Sequence, residues 1–375
     1  MRIVTSMCCS AVLSCTVLNQ NVFSQALVAV EKLRYAGSFD IPESSSWQQP
    51  PKERLDYSMG TIGYREDCDA LYVVAHAQDP TAVALIAVPE RITLDAIPIA
   101  QQLEPMVALP AIADKQVSLR GLHWDNPTQT LYYNYTVWYN VSGEDAAGLG
   151  AVRNGKAYGL WFASHNNSSA GYVTRDTLSG KLIVGSAVAQ GIATSSLGPS
   201  AFRLDLNEDK LPEPNERIAT QTMLFYPGRE SDTRRKAVLS TGDPWWNGME
   251  VSGGACVDGT LIVAVDEGER SYYGTPDEFR SEFRFPPRSG GKGYHNDPHR
   301  AMLWFYSLEE LHRKEVGTLT LVDVAPYAYL RIDALPARGW LGGLAYDSKL
   351  RRLFVSQSRA NAAMTPRIHV YKILD

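Results

Sequence analysis

Along most of this 375-residue chain, an apolar strand, a polar turn and a second apolar strand recur in one pattern, and a third apolar strand follows. The pattern is clearest at residues 121–125 (Gly-Leu-His-Trp-Asp) before Leu131, and at residues 343–347 (Gly-Leu-Ala-Tyr-Asp) before Leu353. Gly, an aromatic residue, Asp and Leu have the same spacing in both copies. Apolar runs on either side of such turns predict β-hairpins.

Three looser copies of the pattern lead to Leu71, Leu182 and Leu261. Third strands are predicted at residues 83–88, 157–163, 201–206, 301–308 and 367–374. One such repeat cannot bury both faces of its small sheet, so neighbouring repeats are expected to stack on one another. About 70 residues separate successive copies, which exceeds the roughly 40 to 50 of common repeats and indicates insertions.

This pattern resembles the repeats of β-propellers, in which small antiparallel sheets are arranged radially and leave only short strand edges. The resemblance is to propellers in general and indicates no named enzyme family. Five copies predict an all-β propeller of five blades, at approximately 57–110, 117–168, 169–226, 250–325 and 340–375. A lone strand at residues 33–41 is predicted to pair with residues 368–373 and close the ring.

The first 26 residues predict a secretory signal peptide, so that residues 27–375 form one propeller domain of a secreted or periplasmic protein. Arg2 precedes an apolar stretch, and residues 24–26 (Ser-Gln-Ala) fit a cleavage site. A lipoprotein signal ending at Cys15 and a disordered terminus are the alternatives. Outside this segment only Cys68 and Cys256 remain, on separate blades, so two free thiols are predicted.

Charge and hydropathy exclude two classes of partner. The net charge of −5 is mild and unpatterned, which argues against a nucleic-acid surface. No run reaches the roughly 18 apolar residues of a transmembrane helix. A monomer that takes a small-molecule or polysaccharide ligand is expected.

The ligand site is expected on one face. By resemblance to propellers, it lies where the innermost strands begin and the second strands end. Insertions at residues 141–156, 226–253 and 268–300 are predicted at these junctions, where they would surround a central pocket.

Candidate residues follow from this placement. Five residues beyond each aligned Leu, a ring is predicted of His76, Thr136, Ala187, Asp266 and Ser358. Arg120 and Trp340 stand before innermost strands. The insertions add Trp245, Trp246, Asn247, Glu267, Lys292, Tyr294 and His295. We hypothesise that His76, Arg120, Asp266 and His295 line one central pocket.

Each candidate also has a structural interpretation. The Trp245–Trp246 pair can pack as the core of its own loop, Arg120 can bridge two blades, and Asp266 with Glu267 can begin a charged loop. No metal site or cofactor is predicted, since Pro298 favours a loop around His295. Calcium is the alternative at residues 205–209, where Lys210 replaces the expected turn Gly.

Aromatic loops with mixed charge on an exported propeller favour carbohydrate as the ligand. Glycoside hydrolysis needs two carboxylates about 5–9.5 Å apart, for which Asp266, Glu267, Glu250 and Asp243 are candidates. β-Elimination from a uronic acid needs a cation, Arg120 or Lys292, and a base such as His76, His295 or Tyr294. A non-enzymatic propeller that binds glycan or protein is the competing hypothesis, because a fold alone fixes no function.

Overall fold

The structure is a computed structural model of the chain. It describes residues 26–43, 50–112, 117–137, 147–163, 170–185, 198–225, 250–273, 294–315, 324–333, 335 and 340–375. The predicted signal peptide lies almost entirely outside the described residues. None of the helices in the described part is long and apolar enough to cross a membrane.

Twenty-one strands and one α-helix make up the described part. In the first two blades and the closing segment, the strands are β1 (Leu33–Asp40), β2 (Ile62–Arg65), β3 (Ala70–Val74), β4 (Ala82–Ala87), β5 (Gln102–Ala108), β6 (Val117–Asp125), β7 (Thr130–Val137), β8 (Leu149–Arg153) and β9 (Lys156–Ala163). The later elements are β10 (Tyr172–Arg175), β11 (Leu182–Gly185), β12 (Ala201–Leu204), β13 (Arg217–Ile218), β14 (Thr220–Leu224), β15 (Glu250–Val257), β16 (Thr260–Tyr273), β17 (Tyr294–Ser307), α1 (Leu308–Glu315), β18 (Ala328–Arg331), β19 (Leu341–Asp347), β20 (Arg352–Gln357) and β21 (Arg367–Ile373).

These strands form five sheets, which confirms the predicted five-bladed propeller. The blades in chain order are β2-β3-β4-β5, β6-β7-β8-β9, β10-β11-β12-β14, β15-β16-β17-β18 and β19-β20-β21-β1. The first strands β2, β6, β10, β15 and β19 each contact the next around a central channel. We call the face where these innermost strands begin the upper face, and the opposite face the lower face.

The ring closes as predicted. Strand β1 pairs antiparallel with β21, from Leu33 opposite Ile373 to Asp40 opposite Arg367. The two ends of the described chain therefore share the last blade, which removes an open sheet edge between them.

Blade two differs from its predicted strand order. Strand β8 lies within residues 141–156, which were predicted to be an insertion, and it pairs with both β7 and β9. The predicted third strand at residues 157–163 is therefore the fourth. A fifth strand, β13, comes from blade three and pairs in parallel with β9.

The apolar core is divided among the blade junctions. Five clusters of buried side chains occur, one between each pair of neighbouring blades. Between blades three and four, for example, Ile183 and Trp304 belong to one cluster. Each blade thus buries both faces against its neighbours, as stacked repeats require.

The Gly of the repeat lies where neighbouring blades approach most closely. A Cβ on Gly121 would lie 2.7 Å from the carbonyl carbon of Tyr172 in blade three. A Cβ on Gly342, the residue before the repeat Gly343, would lie 2.6 Å from the Cα of Gly60 in blade one. Backbone atoms cannot yield to such contacts without moving the blade, so only Gly fits these positions.

The Asp of the repeat organises the lower face. Asp347 Oδ1 accepts hydrogen bonds from the backbone N–H groups of Lys349 and Leu350, which fixes the hairpin turn. Its Oδ2 accepts one from Arg352 Nε at 2.7 Å. The same turn places one residue at positive φ before each second strand, namely Asp69, Gln129, Gly180, Asp258 and Arg351.

A polar contact crosses every blade junction on the lower face, and we call this set the lower-face belt. It consists of Arg65 over the Trp124 ring, Arg175 with Asp125, His312 with Asp176, Arg351 with Asp258 and Arg352 with Asp69. Each basic group has an acidic or aromatic partner in a neighbouring blade, so the lower-face belt links all five blades.

The two predicted free thiols are confirmed. Cys68 is exposed in the hairpin turn of blade one, whereas Cys256 is buried in the innermost strand of blade four.

Candidate functional site on the upper face

The sequence places His76 and Asp266 at equivalent positions, and the structure keeps both near the ends of second strands. His76 follows β3, and Asp266 lies in β16 where it pairs with Glu250. Thr136 and Ser358 occupy the matching positions in blades two and five, and all four residues are buried. Ala187 lies outside the described residues.

Asp266 links blades four and five. Its Oδ2 accepts a hydrogen bond of 3.2 Å from the backbone N–H of Leu341, at the start of β19. Burial raises the pKa of Asp266 well above its ordinary value. A carboxyl group in this state carries its proton further toward neutral pH, which suits an acid rather than a base.

His76 is held in one tautomer. Its Nδ1 accepts a hydrogen bond of 3.0 Å from the backbone N–H of Gln78, so the neutral ring carries its proton on Nε2. Burial lowers the pKa of His76 below its ordinary value, which favours that neutral ring at pH 7. His76 therefore offers an N–H donor on this face, and it lacks the free nitrogen that a base requires.

Arg120 stands at a β-bulge. The pairing of β6 with β7 shifts register between Leu119 and Gly121, and Arg120 is the extra residue. Similar irregularities occur in the upper halves of β15 and β19, at residues 251–253 and 341–344. A bulge re-aims the side chain of its extra residue, and bulges are over-represented next to functional sites.

The surroundings of Arg120 leave its charge uncompensated. Among the described residues no hydrogen bond or ion pair reaches it, and its buried Nε has no partner. Burial lowers the pKa of Arg120 to about 10, with no opposing contribution from an acid. The guanidinium is still charged at pH 7, so Arg120 presents a positive charge that no described carboxylate compensates.

The channel beside Arg120 is narrow. Cα atoms of β6 come within 8 Å of Cα atoms in β15 and in β19, strands that are not its neighbours around the ring. The side chain of Arg120 is nevertheless only half-buried. A side chain that is enclosed by the channel and yet partly exposed, as that of Arg120 is, is expected at the mouth of the channel.

Glu267, Tyr294 and His295 belong to a hairpin that continues beyond the blade. Residues 268–273 and 294–300, predicted to be part of an insertion, extend the ladder of β16 and β17. His295 pairs with Tyr272, six residues beyond Asp266, and Tyr294 pairs with Tyr273. At roughly 3.3 Å per residue, His295 lies about 20 Å along the hairpin from Asp266.

The other predicted site residues are not placed. Trp245, Trp246, Asn247 and Lys292 lie outside the described residues, as do all of residues 274–293. The hypothesis of one pocket for His76, Arg120, Asp266 and His295 therefore stays a prediction.

Two upper-face residues were missed by the sequence reasoning. Arg359 directly follows the predicted ring position Ser358, and Tyr57 precedes the first strand of blade one. Arg359 lies between the rings of Trp340 and Tyr57, at 4.9 and 5.6 Å from their centroids. The only available signal was the position of Arg359 one residue beyond the aligned ring.

Within the described residues no group of three or more His, Cys, Asp or Glu side chains is arranged to hold a metal ion. In the segment compared with a calcium loop, Asp205 pairs with Lys181 at 2.7 Å. Asn207 Oδ1 accepts hydrogen bonds from the backbone N–H groups of Asp209 and Lys210.

Comparison with known proteins identifies no family. No protein-family model and no curated protein matches the chain. Among solved structures, the chain is similar to native arabinanase of Bacillus subtilis, with a TM-score of 0.39 and 9% sequence identity. The similarity covers 84% of this chain and 93% of the arabinanase. A likeness this distant carries no inference about residues or reaction.

Proposed function

We propose that this protein binds an acidic carbohydrate on its upper face and cleaves it by β-elimination. The observation that carries the proposal is Arg120, a charged guanidinium at the channel mouth with no partner among the described residues. A guanidinium matches a carboxylate with two parallel hydrogen bonds, and a uronic acid supplies that carboxylate next to the reacting carbon.

Aromatic groups favour a sugar over a small inorganic anion. Trp340 and Tyr57 lie on the same face as Arg120, and Tyr57 is 40% exposed. Aromatic rings pack against the apolar faces of sugars. Trp245, Trp246, Asn247 and Lys292 extend this binding surface in the proposal.

The cation favours elimination over hydrolysis. Hydrolysis needs a second carboxylate about 5–9.5 Å from Asp266, for which Glu267 and the cross-strand partner Glu250 are the candidates, and it gives Arg120 no role. In elimination, Arg120 neutralises the uronate carboxylate and so makes its neighbouring C–H more acidic. A base removes that proton, a C=C bond forms, the glycosidic C–O bond breaks, and a proton reaches the departing oxygen.

Residue roles follow from protonation states. The raised pKa of Asp266 suits delivery of the proton to the departing oxygen. His76 donates from Nε2 and suits binding rather than proton removal. Removal of the proton is assigned to Glu267, because Tyr294 and His295 lie about 20 Å along the hairpin from Asp266 and would contact a more distant part of the polymer.

A non-enzymatic acidic-glycan receptor is the second candidate, and one observation favours it. Neither titratable residue of the predicted ring is suited to act as a base. Nδ1 of His76 already accepts a hydrogen bond, and burial raises the pKa of Asp266, which favours its protonated form. A receptor requires only Arg120 and the aromatic groups. In both candidates the protein is an exported monomer, and the predicted signal peptide supports the export.

The test is a panel of neutral and uronate-containing polysaccharides, with binding, reducing ends and the absorbance of an unsaturated product followed together. The matched variants are Arg120→Met on the upper face and Arg351→Met in the lower-face belt. Elimination predicts unsaturated product from an acidic polymer, lost in Arg120→Met and retained in Arg351→Met. Reducing ends without unsaturated product would assign hydrolysis, binding without either product would assign the receptor, and no binding to any acidic polymer would contradict both candidates.

A further inference from the structure

A second cluster of binding groups lies on the upper face, at the junction of blades five and one. It comprises Tyr57, His76, Trp340 and Arg359, and we call it the junction cluster. The Arg359 guanidinium carbon lies 4.9 Å from the Trp340 ring centroid and 5.6 Å from that of Tyr57. The Tyr57 and His76 ring centroids are 5.5 Å apart.

Arg359 has aromatic neighbours but no acidic partner among the described residues. Its Nε is buried without a hydrogen bond, while the side chain as a whole is half-buried. The nearby carboxylate of Asp56 is engaged by both Nε and Nη2 of Arg54. The positive charge of Arg359 is therefore available to an anion from solvent.

The backbone around the cluster is held in unfavourable conformations. Tyr57, Arg359 and Met364 have φ values of 55°, 51° and 59°. These residues stand outside the hairpin turns that account for one positive φ in each blade, and an aromatic residue is rarely found in this region. Strained residues of this kind persist where surrounding contacts enforce them, and they cluster at ligand sites.

Neighbouring backbone bonds provide that enforcement. The Tyr57 N–H donates to the Met364 carbonyl at 2.9 Å, and the Ala77 N–H donates to the Tyr57 carbonyl at 3.3 Å. The Ser358 N–H donates to the Trp340 carbonyl at 2.8 Å. The arginine and both aromatic rings are thus presented by a preorganised frame rather than by a loose loop.

We propose that the junction cluster is a second subsite for an acidic sugar, in which Arg359 and His76 Nε2–H bind the carboxylate and Tyr57 contacts the sugar ring. The inference rests on the proposed function for the class of ligand, an oligosaccharide of uronic acids. It adds a site distinct from Arg120, so a longer saccharide would occupy both and bind more tightly than a single sugar.

The test follows the Nε–Hε resonance of Arg359 by NMR during titration with D-glucuronate, and with neutral methyl glucoside as the control ligand. The titration is performed in an Arg120→Met background, so its outcome is independent of the site that carries the proposed function. The resonance is assigned by its loss in Arg359→Lys.

We expect a saturable shift with glucuronate and none with methyl glucoside. Arg359→Lys keeps the positive charge and loses the planar guanidinium that donates two parallel hydrogen bonds. It should weaken glucuronate binding about tenfold, as measured by the shift of the backbone amide resonance of Ser358. Arg351→Lys on the lower face should bind as the background does, and thermal denaturation checks that each variant is folded. An unshifted resonance, an equal shift with the neutral sugar, or wild-type affinity in folded Arg359→Lys would overturn the proposal.

Discussion

The lower and upper faces of this propeller use the same residue types in opposite ways. On the lower face, Arg175, Arg351 and Arg352 each contact a carboxylate across a blade junction. On the upper face, Arg120 and Arg359 have no acidic partner among the described residues. A charge that is buried without compensation costs stability, so the lack of a carboxylate at Arg120 and Arg359 points to a role in binding.

The buried histidines repeat this contrast. His369, between β1 and β20, is bonded at both ring nitrogens, by Tyr35 Oη at 3.2 Å and Gln357 Oε1 at 3.0 Å. His76 has its Nδ1 engaged and its Nε2 directed to no hydrogen-bond partner in the described part of the chain. His369 therefore has a completed hydrogen-bond network, whereas His76 keeps a donor for a ligand.

The largest predicted effect tests the lower face. Arg352→Met should lower the free energy of unfolding by about 3–5 kcal/mol, because it leaves the fully buried Asp347 without its cation. Urea denaturation monitors the loss. A decrease below about 1 kcal/mol would show that the belt is not structural, and the comparison between faces would lose its basis.

The next effect concerns pH and His369. Burial lowers the pKa of His369 to about 4. The folded-state pKa is lower than that of the unfolded chain, so on acidification the unfolded chain binds the proton at a higher pH. The contribution of neutral His369 to stability is therefore lost as pH falls from about 6.5 to about 4. That loss should be on the order of 2–3 kcal/mol. His369→Gln should flatten the dependence of unfolding free energy on pH over this window; an unchanged slope would contradict the assignment.

A smaller effect, of opposite sign, is expected for Asp266. Its raised pKa means that the folded state holds a proton that the unfolded state releases, so wild-type stability falls as pH rises above about 4. Asp266→Asn keeps an acceptor for the Leu341 N–H and cannot ionise, so it should be more stable than the wild type at pH 7.

The control for Asp266→Asn is the same comparison at about pH 3, where the difference should vanish. A variant that is less stable than the wild type at pH 7 would indicate an ionised, compensated carboxylate. Asp266 would then lose its proposed role as a proton donor.

The repeat made the fold predictable because each of its residues has a structural task. Gly121 permits contact with blade three, Asp347 fixes a turn, and the aligned Leu residues fill inter-blade clusters. The spacing beyond those Leu residues aligned His76, which follows β3, with Asp266, which lies within β16 before that strand continues to Tyr273. Strand β8 was missed because its short sequence lies in a region of apparent insertion, and β5 and β18 because their exposed side chains give little apolar signal.

The candidate site was less predictable because its key features are tertiary. The sequence marked Arg120 by its place before Gly121, but the bulge and the lack of an acidic neighbour depend on the assembled ring. The positive φ of Tyr57 and Arg359 could not be predicted from the sequence, because Tyr and Arg rarely adopt that conformation. The sequence therefore predicted a face, and three-dimensional contacts distinguished arginines that have a carboxylate partner from those that have none among the described residues.

The central claim is that Arg120 is a binding cation and not a structural one. Its most direct test is the free energy of unfolding of Arg120→Met and the wild type, measured with and without a fixed concentration of D-glucuronate. Without ligand, the variant should be as stable as the wild type within about 0.5 kcal/mol, or more stable, because no buried partner is left behind. Glucuronate should stabilise the wild type more than the variant. A loss of about 3 kcal/mol without ligand, or equal stabilisation of both proteins by glucuronate, would contradict this account.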